Sequence, residues 1–439
     1  MERDLIVVVS ADVVGRRMAG PAIRAVELAR VLAREHRVVL AAPNAEAVEG
    51  LEVVPFGRGG LGRLVERARV VIAQGLIAPL EPLLRPGHAL VLDFYDPNPV
   101  ELMAHHRDSP RRRARRSQEY LRQRLLVLAR RGDLFLCATE RQRDFWLGLL
   151  AAAGRLSWEA DRRQPNLDDL LTIVPFGLPE EPPEPAGPAL KGVWPGIGPG
   201  DKVLLWGGGI WNWFDPLTVI RAAGRAARVR PDLRLFFLGV KHPNPSLPGM
   251  AMTGRAVELA REMGLLDRVV FFNHDWVDYG RRAGYLLESD LAVLASGRDL
   301  ETRLSFRTRL LDCLWAGLPL VLTEGDHFAG LVEREGLGRV VGVGDDEAMA
   351  RAILELLADE AEQARCRRNL ARLAQEMTWP KAARPLLDFC RRPNFHPGAD
   401  HRPSGRLRLM AGYTLGLAGV AARYGGLGEY LRRRLRREG

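Results

Sequence analysis

Short apolar runs recur through the chain, separated by stretches in which apolar residues return every three or four positions. Runs of that length read as strands buried on both faces, and the periodic stretches as helices packed against them. Strands are predicted first at 4–10, 37–42, 51–55, 69–74, 89–94, 133–138 and 171–175, with helices at 21–35, 112–130 and 139–152. Pro21 suits a first helical turn, where its missing N–H has no partner to lose. A second series of strands follows at 202–206, 233–239, 268–273, 290–295, 318–322 and 338–342. Its helices are predicted at 216–229, 326–335, 345–357, 360–375 and from Thr378 to about Arg391. Alternation of this kind predicts an α/β chain of two Rossmann-like, doubly wound domains, residues 1–177 and 201–378. Residues 178–200 (LPEEPPEPAGPALKGVWPGIGPG) are rich in Pro and Gly, lack a period, and read as a linker. A helix at 379–392 and a basic amphipathic tail at 393–439 complete the chain.

Composition changes the expected partners more than the fold. With 439 residues, 47% hydrophobic and 27% charged, the sequence is that of a globular protein with ample core. The net charge is +10, and only four of the 64 basic residues are lysines, which favours phosphate-bearing partners and anionic surfaces. The basic residues concentrate in two places. Residues 107–131 (RDSPRRRARRSQEYLRQRLLVLARR) form a basic amphipathic helix. In the tail, Leu409 to Ala422 (LMAGYTLGLAGVAA) is apolar between Arg406 and Arg408 on one side and Arg432 to Arg437 on the other. Its fourteen residues are too few to span a bilayer. It reads either as a helix in the headgroup plane of an anionic membrane or as one more helix packed on the protein. Gly412, Gly416 and Gly419 suit the second reading. Cys137, Cys313, Cys366 and Cys390 are far apart, and MERDLIVVVS is not a signal peptide. The expected location is therefore cytoplasmic, on the inner face of a membrane if the tail binds one.

The candidate chemistry centres on residues 299–324 (DLETRLSFRTRLLDCLWAGLPLVLTE). Ser305 is placed to cap a helix, Leu310, Leu311, Leu314 and Trp315 mark its buried face, and Gly317 and Pro319 stop it. Arg307 and Arg309 near its start and Asp312 near its end all oppose the helix dipole. A diphosphate at the start and ribose hydroxyls at Asp312 would offset this; the plain alternative is an i,i+3 surface pair between Arg309 and Asp312. Other candidates follow predicted strands, on the edge where open α/β sheets bind ligands. Gly15 and Gly20 lie in the first such loop, and Asp96 ends the strand before Pro97, where it either opens a turn or binds substrate. Gly207, Gly208 and Gly209 form a glycine run that lets amides approach an anion, and Lys241 follows the next strand. Trp276 either stacks on a base or packs in the core. His105 and His106 lack the further ligands that a zinc site needs, and there is no Asp-x-Asp for a divalent cation.

The 299–324 segment resembles the nucleotide-binding motif of retaining GT-B-fold glycosyltransferases, the group often called family 4. In that family an acidic residue opens the motif and a second follows eight positions later, in a helix ending Ala-x-Gly-x-Pro. Trp315-Ala316-Gly317-Leu318-Pro319 matches the ending, and Asp312 falls at the second acidic position. Leu304 stands at the first, with Glu301 the nearest acid. The resemblance covers roughly residues 1–392. It implies two domains facing a cleft and transfer of a sugar, with retention, from a nucleoside diphosphate sugar to a glycan or lipid-linked glycan. It implies neither cofactor nor metal. Gly15, Gly208, Gly209, Trp276, Glu301, Ser305, Thr308, Arg309 and Asp312 would contact substrate, and Asp96, Lys241 and Arg307 are the catalytic candidates. The Arg that the family places shortly after the glycines is absent. Ile210-Trp211-Asn212-Trp213 stands there, leaving Lys241 as the nearby basic residue. Two other readings stand beside this one: a nucleotide-sugar epimerase on the same fold, and a polyanion- or nucleic-acid-binding protein using the 107–131 helix. Against the last, that helix has one aromatic, Tyr120, and no stacking platform.

Overall fold

The computed structural model describes all residues except 1–4, 57–59, 75–78, 108, 245–248, 402 and 425–439. The arginines Arg432 to Arg437 lie outside the described residues. The chain divides into two units. The first comprises Met1–Val14, Pro21–Pro175 and Arg384–Gly439, and the second Gly15–Gly20 and Phe176–Ala383.

The first unit holds a seven-stranded sheet made of β1 (Leu5–Val9), β2 (Arg37–Ala42), β3 (Glu52–Pro55), β4 (Val70–Ala73), β5 (Ala89–Asp93), β6 (Leu134–Cys137) and β7 (Leu171–Ile173). Its order is β3-β2-β1-β4-β5-β6-β7, and every pairing is parallel. All seven predicted strands are present. Central strands such as β1 and β5 are buried at every position, which explains why they read as continuous apolar runs. Arg24 lies between the buried Val31 and Leu28 around helix Gly20–Ala33 and is itself wholly buried. It donates to Asp93 Oδ2 and Oδ1 at 2.7 and 2.9 Å and to the carbonyls of Val174 and Pro175 at 2.8 and 3.0 Å. It thereby satisfies carbonyls that β7 leaves open where the chain exits the unit.

The second unit holds a six-stranded sheet made of β8 (Lys202–Trp206), β9 (Leu233–Phe237), β10 (Val270–Phe272), β11 (Leu291–Leu294), β12 (Leu320–Thr323) and β13 (Gly338–Val341). Its order, β10-β9-β8-β11-β12-β13, is again all parallel. In each unit the order reverses beside the first strand, β1 or β8, and loops leaving the carboxyl ends there are placed for ligand binding. Helix Ala251–Glu262 is an addition to the expected elements. It buries only Ala256 and Ala260, too few apolar residues to set a period.

Two segments depart from expectation. Residues 178–200 belong with the second unit rather than standing apart as a linker. The Glu288 carboxylate accepts from the amides of Ala189, Leu190 and Lys191 at 2.7–2.9 Å, so a side chain supplies the partners that secondary structure would otherwise give. The predicted helix from Thr378 to Arg391 is two helices, Trp379–Ala382 and Arg384–Arg391. Pro385 cannot donate to a preceding carbonyl, and the break at Ala383 is also where the chain passes to the first unit.

The C-terminal part is tied into the first unit. Asp133 Oδ1 accepts from the His396 amide at 2.8 Å and contacts His401 Nε2 at 2.6 Å. Its Oδ2 accepts from Leu90 N and Arg131 Nη1 at 2.8 and 3.1 Å. Helix Pro403–Tyr424 then packs along helix Arg111–Arg131, with Leu409 in the unit's core and Val420 and Ala421 buried. One face of the tail therefore packs on the protein.

Candidate functional site

The site is built where β8 to β11 end in the second unit. After β8 the chain runs through Gly207, Gly208 and Gly209, and Gly208 has φ +122°, a region a side chain rarely enters. A Cβ on Gly209 would lie 3.3 Å from the Trp276 ring, and one on Gly239, after β9, would also lie 3.3 Å from it. Trp276 thus fits between two glycines from different loops, and its indole N–H donates to the Met18 carbonyl at 2.9 Å. Asp215 caps helix Pro216–Val229, accepting from the Thr218 amide at 3.1 Å, which fixes Phe214 just ahead of it.

Two arginines share the Phe214 ring. Arg307 Cζ lies 4.7 Å from its centroid and Arg309 Cζ 4.2 Å. Their surroundings differ. Arg307 is 4% exposed and pairs with both oxygens of Glu301 at 2.7 Å, with Asp326 Oδ2 at 3.8 Å. Burial opposes its charge, but Glu301 and Asp326 outweigh that and hold its pKa above the ordinary value. The same Glu301 accepts the Ser305 hydroxyl. Ser305 therefore ends the short helix Leu300–Leu304 and does not cap the next one. Helix Thr308–Trp315 begins after Arg307 with no side-chain cap on its first amides. This corrects the expected start at Ser305. Ser305 has an alternative partner four residues back, and Asp299 takes the capping role for the preceding helix.

Arg309 is only partly exposed and donates to the Gly209 carbonyl at 2.8 Å. Its guanidinium also lies within 4 Å of where a Gly208 Cβ would stand. Among the described residues no carboxylate pairs with it. Burial first, and the Arg307 charge second, pull its pKa down to about 9. It is a cation held against the glycine loop without an anion. Asp312, at the other end of the helix, accepts from Arg282 Nε at 3.0 Å. Arg282 in turn lies 3.7 Å from the Tyr279 centroid and 4.6 Å from that of Trp315. The expected Arg309–Asp312 surface pair is absent from the described contacts.

The structure thus gathers Gly208, Gly209, Trp276, Glu301, Ser305, Arg307, Thr308 and Arg309 at one sheet edge, with Asp312 a helix length away. Lys241 is exposed on the loop after β9, next to His242, whose ring lies 5.5 Å from Trp276. Gly15 belongs with the second unit and has φ +134°. Asp96 follows β5 in the first unit, where its carbonyl accepts from the Asn98 amide at 2.8 Å. Phe214, Arg282 and Asp326 are not evident from sequence motifs. Asp326 alone carried a signal, as an N-cap three residues before Ala329. Among the described residues no group of three His, Cys, Asp or Glu is placed to hold a metal ion, and no helix is long and apolar enough to cross a membrane.

Residues 201–359 match the family model described as Glycosyl transferases group 1. The chain is 26% identical over 211 residues to a D-inositol 3-phosphate glycosyltransferase of Rhodococcus opacus, covering 48% of this chain and 45% of that one. It is 28% identical over 177 residues to the protein of the same name from Salinispora tropica, covering 39% and 34%. The match thus spans less than half the length of these curated relatives. Among solved structures, sucrose-phosphate synthase from Thermosynechococcus elongatus superposes with a TM-score of 0.60 at 16% identity, over 89% of this chain and 98% of that one. Anabaena Alr3699/HepE, solved with UDP and glucose, gives 0.59 at 13% identity over 88% and 99%. Residues 201–359 therefore form a glycosyl transferases group 1 domain, within a chain whose two parallel-sheet units have the GT-B fold.

Proposed function

We propose that the protein is a glycosyltransferase that moves a sugar from a nucleoside diphosphate sugar to a glycan or lipid-linked glycan, with retention and without a metal ion. The observation that carries this reading is Arg309. It is a guanidinium without a described carboxylate partner, set against a glycine loop at the carboxyl ends of a parallel sheet. A departing diphosphate needs such fixed positive charge, because stabilisation aimed at the developing anion lowers the barrier directly. Lys241, exposed on the neighbouring loop, reaches the outer phosphate in this reading. Arg307 acts through Glu301, keeping the helix start in place. Asp312 takes the ribose hydroxyls, in competition with Arg282. Asp96 and Gly15 serve the acceptor.

The test is calorimetric titration with nucleoside diphosphates, followed by turnover with the matching sugar donors. UDP-glucose is the first donor to try, because Anabaena Alr3699/HepE was solved with it. Binding of a nucleoside diphosphate and release of that diphosphate only when an acceptor is present support transfer. Sugar conversion without an acceptor would instead indicate an epimerase. Turnover that EDTA abolishes and a divalent cation restores would overturn metal independence, and inversion at the anomeric carbon would overturn retention.

A further inference from the structure

Helix Pro403–Tyr424 is apolar on two sides. Its inner face is committed to the protein through Leu409, Val420 and Ala421. Its outer face presents Leu407 at 71% exposure and Leu415 at 73%, with Ala411 and Ala422 exposed at the same helical spacing. The helix contains no acidic residue. A helix that is hydrophobic all round is normally buried all round, yet among the described residues nothing covers the outer stripe.

Its neighbour supplies the charge. Helix Arg111–Arg131 opens with Arg111, Arg112 and Arg113, followed by Arg115, all exposed and all at the end where the helix dipole disfavours cations. Among the described residues none of these four has an ion-pair partner. The two helices run antiparallel. The Asp400 amide donates to the Arg130 carbonyl, Gly416 faces Gln123, and the Arg423 charge acts on Glu119. The end of the tail helix therefore approaches the arginine-rich start of its neighbour. Arg423, some three hundred residues further along the sequence, is thereby brought towards the end of the helix pair that carries Arg111 to Arg115.

We infer that this helix pair is a docking face for an anionic phospholipid bilayer. The apolar stripe enters the boundary between headgroups and acyl chains while the arginines meet lipid phosphates. The inference goes beyond the transferase reading and does not depend on it. A second copy of the chain is a poorer occupant, because pairing the stripes would bring like-charged arginines together. A nucleic acid would use the arginines but leave the leucines exposed.

The experiment is flotation of the full-length protein with vesicles of phosphatidylcholine, with or without phosphatidylglycerol. Two variants are compared with the parent: L407E/L415E, which changes only exposed side chains, and R111Q/R112Q/R113Q/R115Q. The parent should float with the anionic vesicles alone, and less in high salt. Each variant should lose about tenfold or more of the bound fraction with an unchanged thermal melt. A parent that stays at the bottom, or variants that float like it, would overturn the proposal. So would self-association abolished by L407E/L415E, which assigns the stripe to a second copy. RNA binding undiminished by L407E/L415E, with no flotation, would assign the arginines to a nucleic acid.

Discussion

Arg307 and Glu301 face each other through two parallel hydrogen bonds of 2.7 Å, with side chains 3% and 2% exposed. Bidentate geometry in a water-poor site makes each the condition for the other's burial. Arg307→Ala should cost about 3–5 kcal/mol of stability in the second unit, because it strands a buried carboxylate. Replacing the pair together, as E301L/R307M, should recover a large part of that. Urea denaturation of the single and double variants measures both. A stable R307A protein with weakened nucleotide binding would return Arg307 to the phosphate.

Arg309 should behave in the opposite way. Arg309→Ala should weaken nucleoside diphosphate binding by on the order of 1.5–3 kcal/mol, the scale of a charge-assisted hydrogen bond. Its melting temperature should move little, since the loss of the bond to the Gly209 carbonyl and of the stacking on Phe214 is offset by relief of the burial cost and of the repulsion from Arg307. Calorimetry that finds parental affinity would remove the diphosphate from this loop.

Asp312→Asn keeps the shape and removes the charge that holds Arg282. Nucleoside diphosphate binding should weaken while inorganic diphosphate binding stays near parental, because only the former carries a ribose. Equal losses for both ligands would instead mean that the change disturbs the helix as a whole.

Acid should destabilise the first unit through its buried histidines. Burial is the main reason that His396 is lowered from 6.5 to about 4 and His88 to about 3, with Arg155 and Arg131 adding to it. As pH falls from 6.5, the unfolded chain binds protons that the folded chain refuses, so stability declines until the folded values are reached. Each histidine contributes on the order of 3 kcal/mol to that decline. Asp133 works in the same direction at lower pH. Burial pushes its carboxyl up, but His401 and Arg131 outweigh this and hold it below the ordinary value. Melts across the range should show a falling midpoint, and His396→Gln should flatten the slope while lowering stability near neutrality. A slope identical to the parent's would place the acid sensitivity elsewhere.

Gly177 sits against Trp379, where a Cβ would meet backbone atoms at 2.6–2.7 Å. The contact brackets a pair of backbone bonds, Leu178 N to Met377 O at 2.8 Å and Trp379 N to Leu178 O at 2.9 Å. Backbone cannot move aside as a flexible side chain can. Gly177→Ala should therefore cost about 1–3 kcal/mol, the range for forcing extra volume into a packed site. A melt indistinguishable from the parent would show that the contact relaxes freely.

The sequence by itself determined all thirteen strands, their grouping in two sets, and the helix that ends Trp315-Ala316-Gly317-Leu318-Pro319. Each of these is written in consecutive residues, as a run, a period or a stop. Only the tertiary structure decided which charges are buried and what they touch. Arg307 and Glu301 are six residues apart, a spacing that no helix brings together, so a turn between two short helices had to form first. Ser305 looked like a cap because the capping signal is local, whereas the choice between two helices depends on where the chain bends. Arg24 lies on the buried side of its helix, and its charge is met there only because Asp93 at the end of β5 and the Val174 carbonyl after β7 converge on it. Trp276 is fixed by glycines on two other loops. The tail's glycines allowed close packing, but the partner helix lies some three hundred residues away, and no periodicity within the tail could name it.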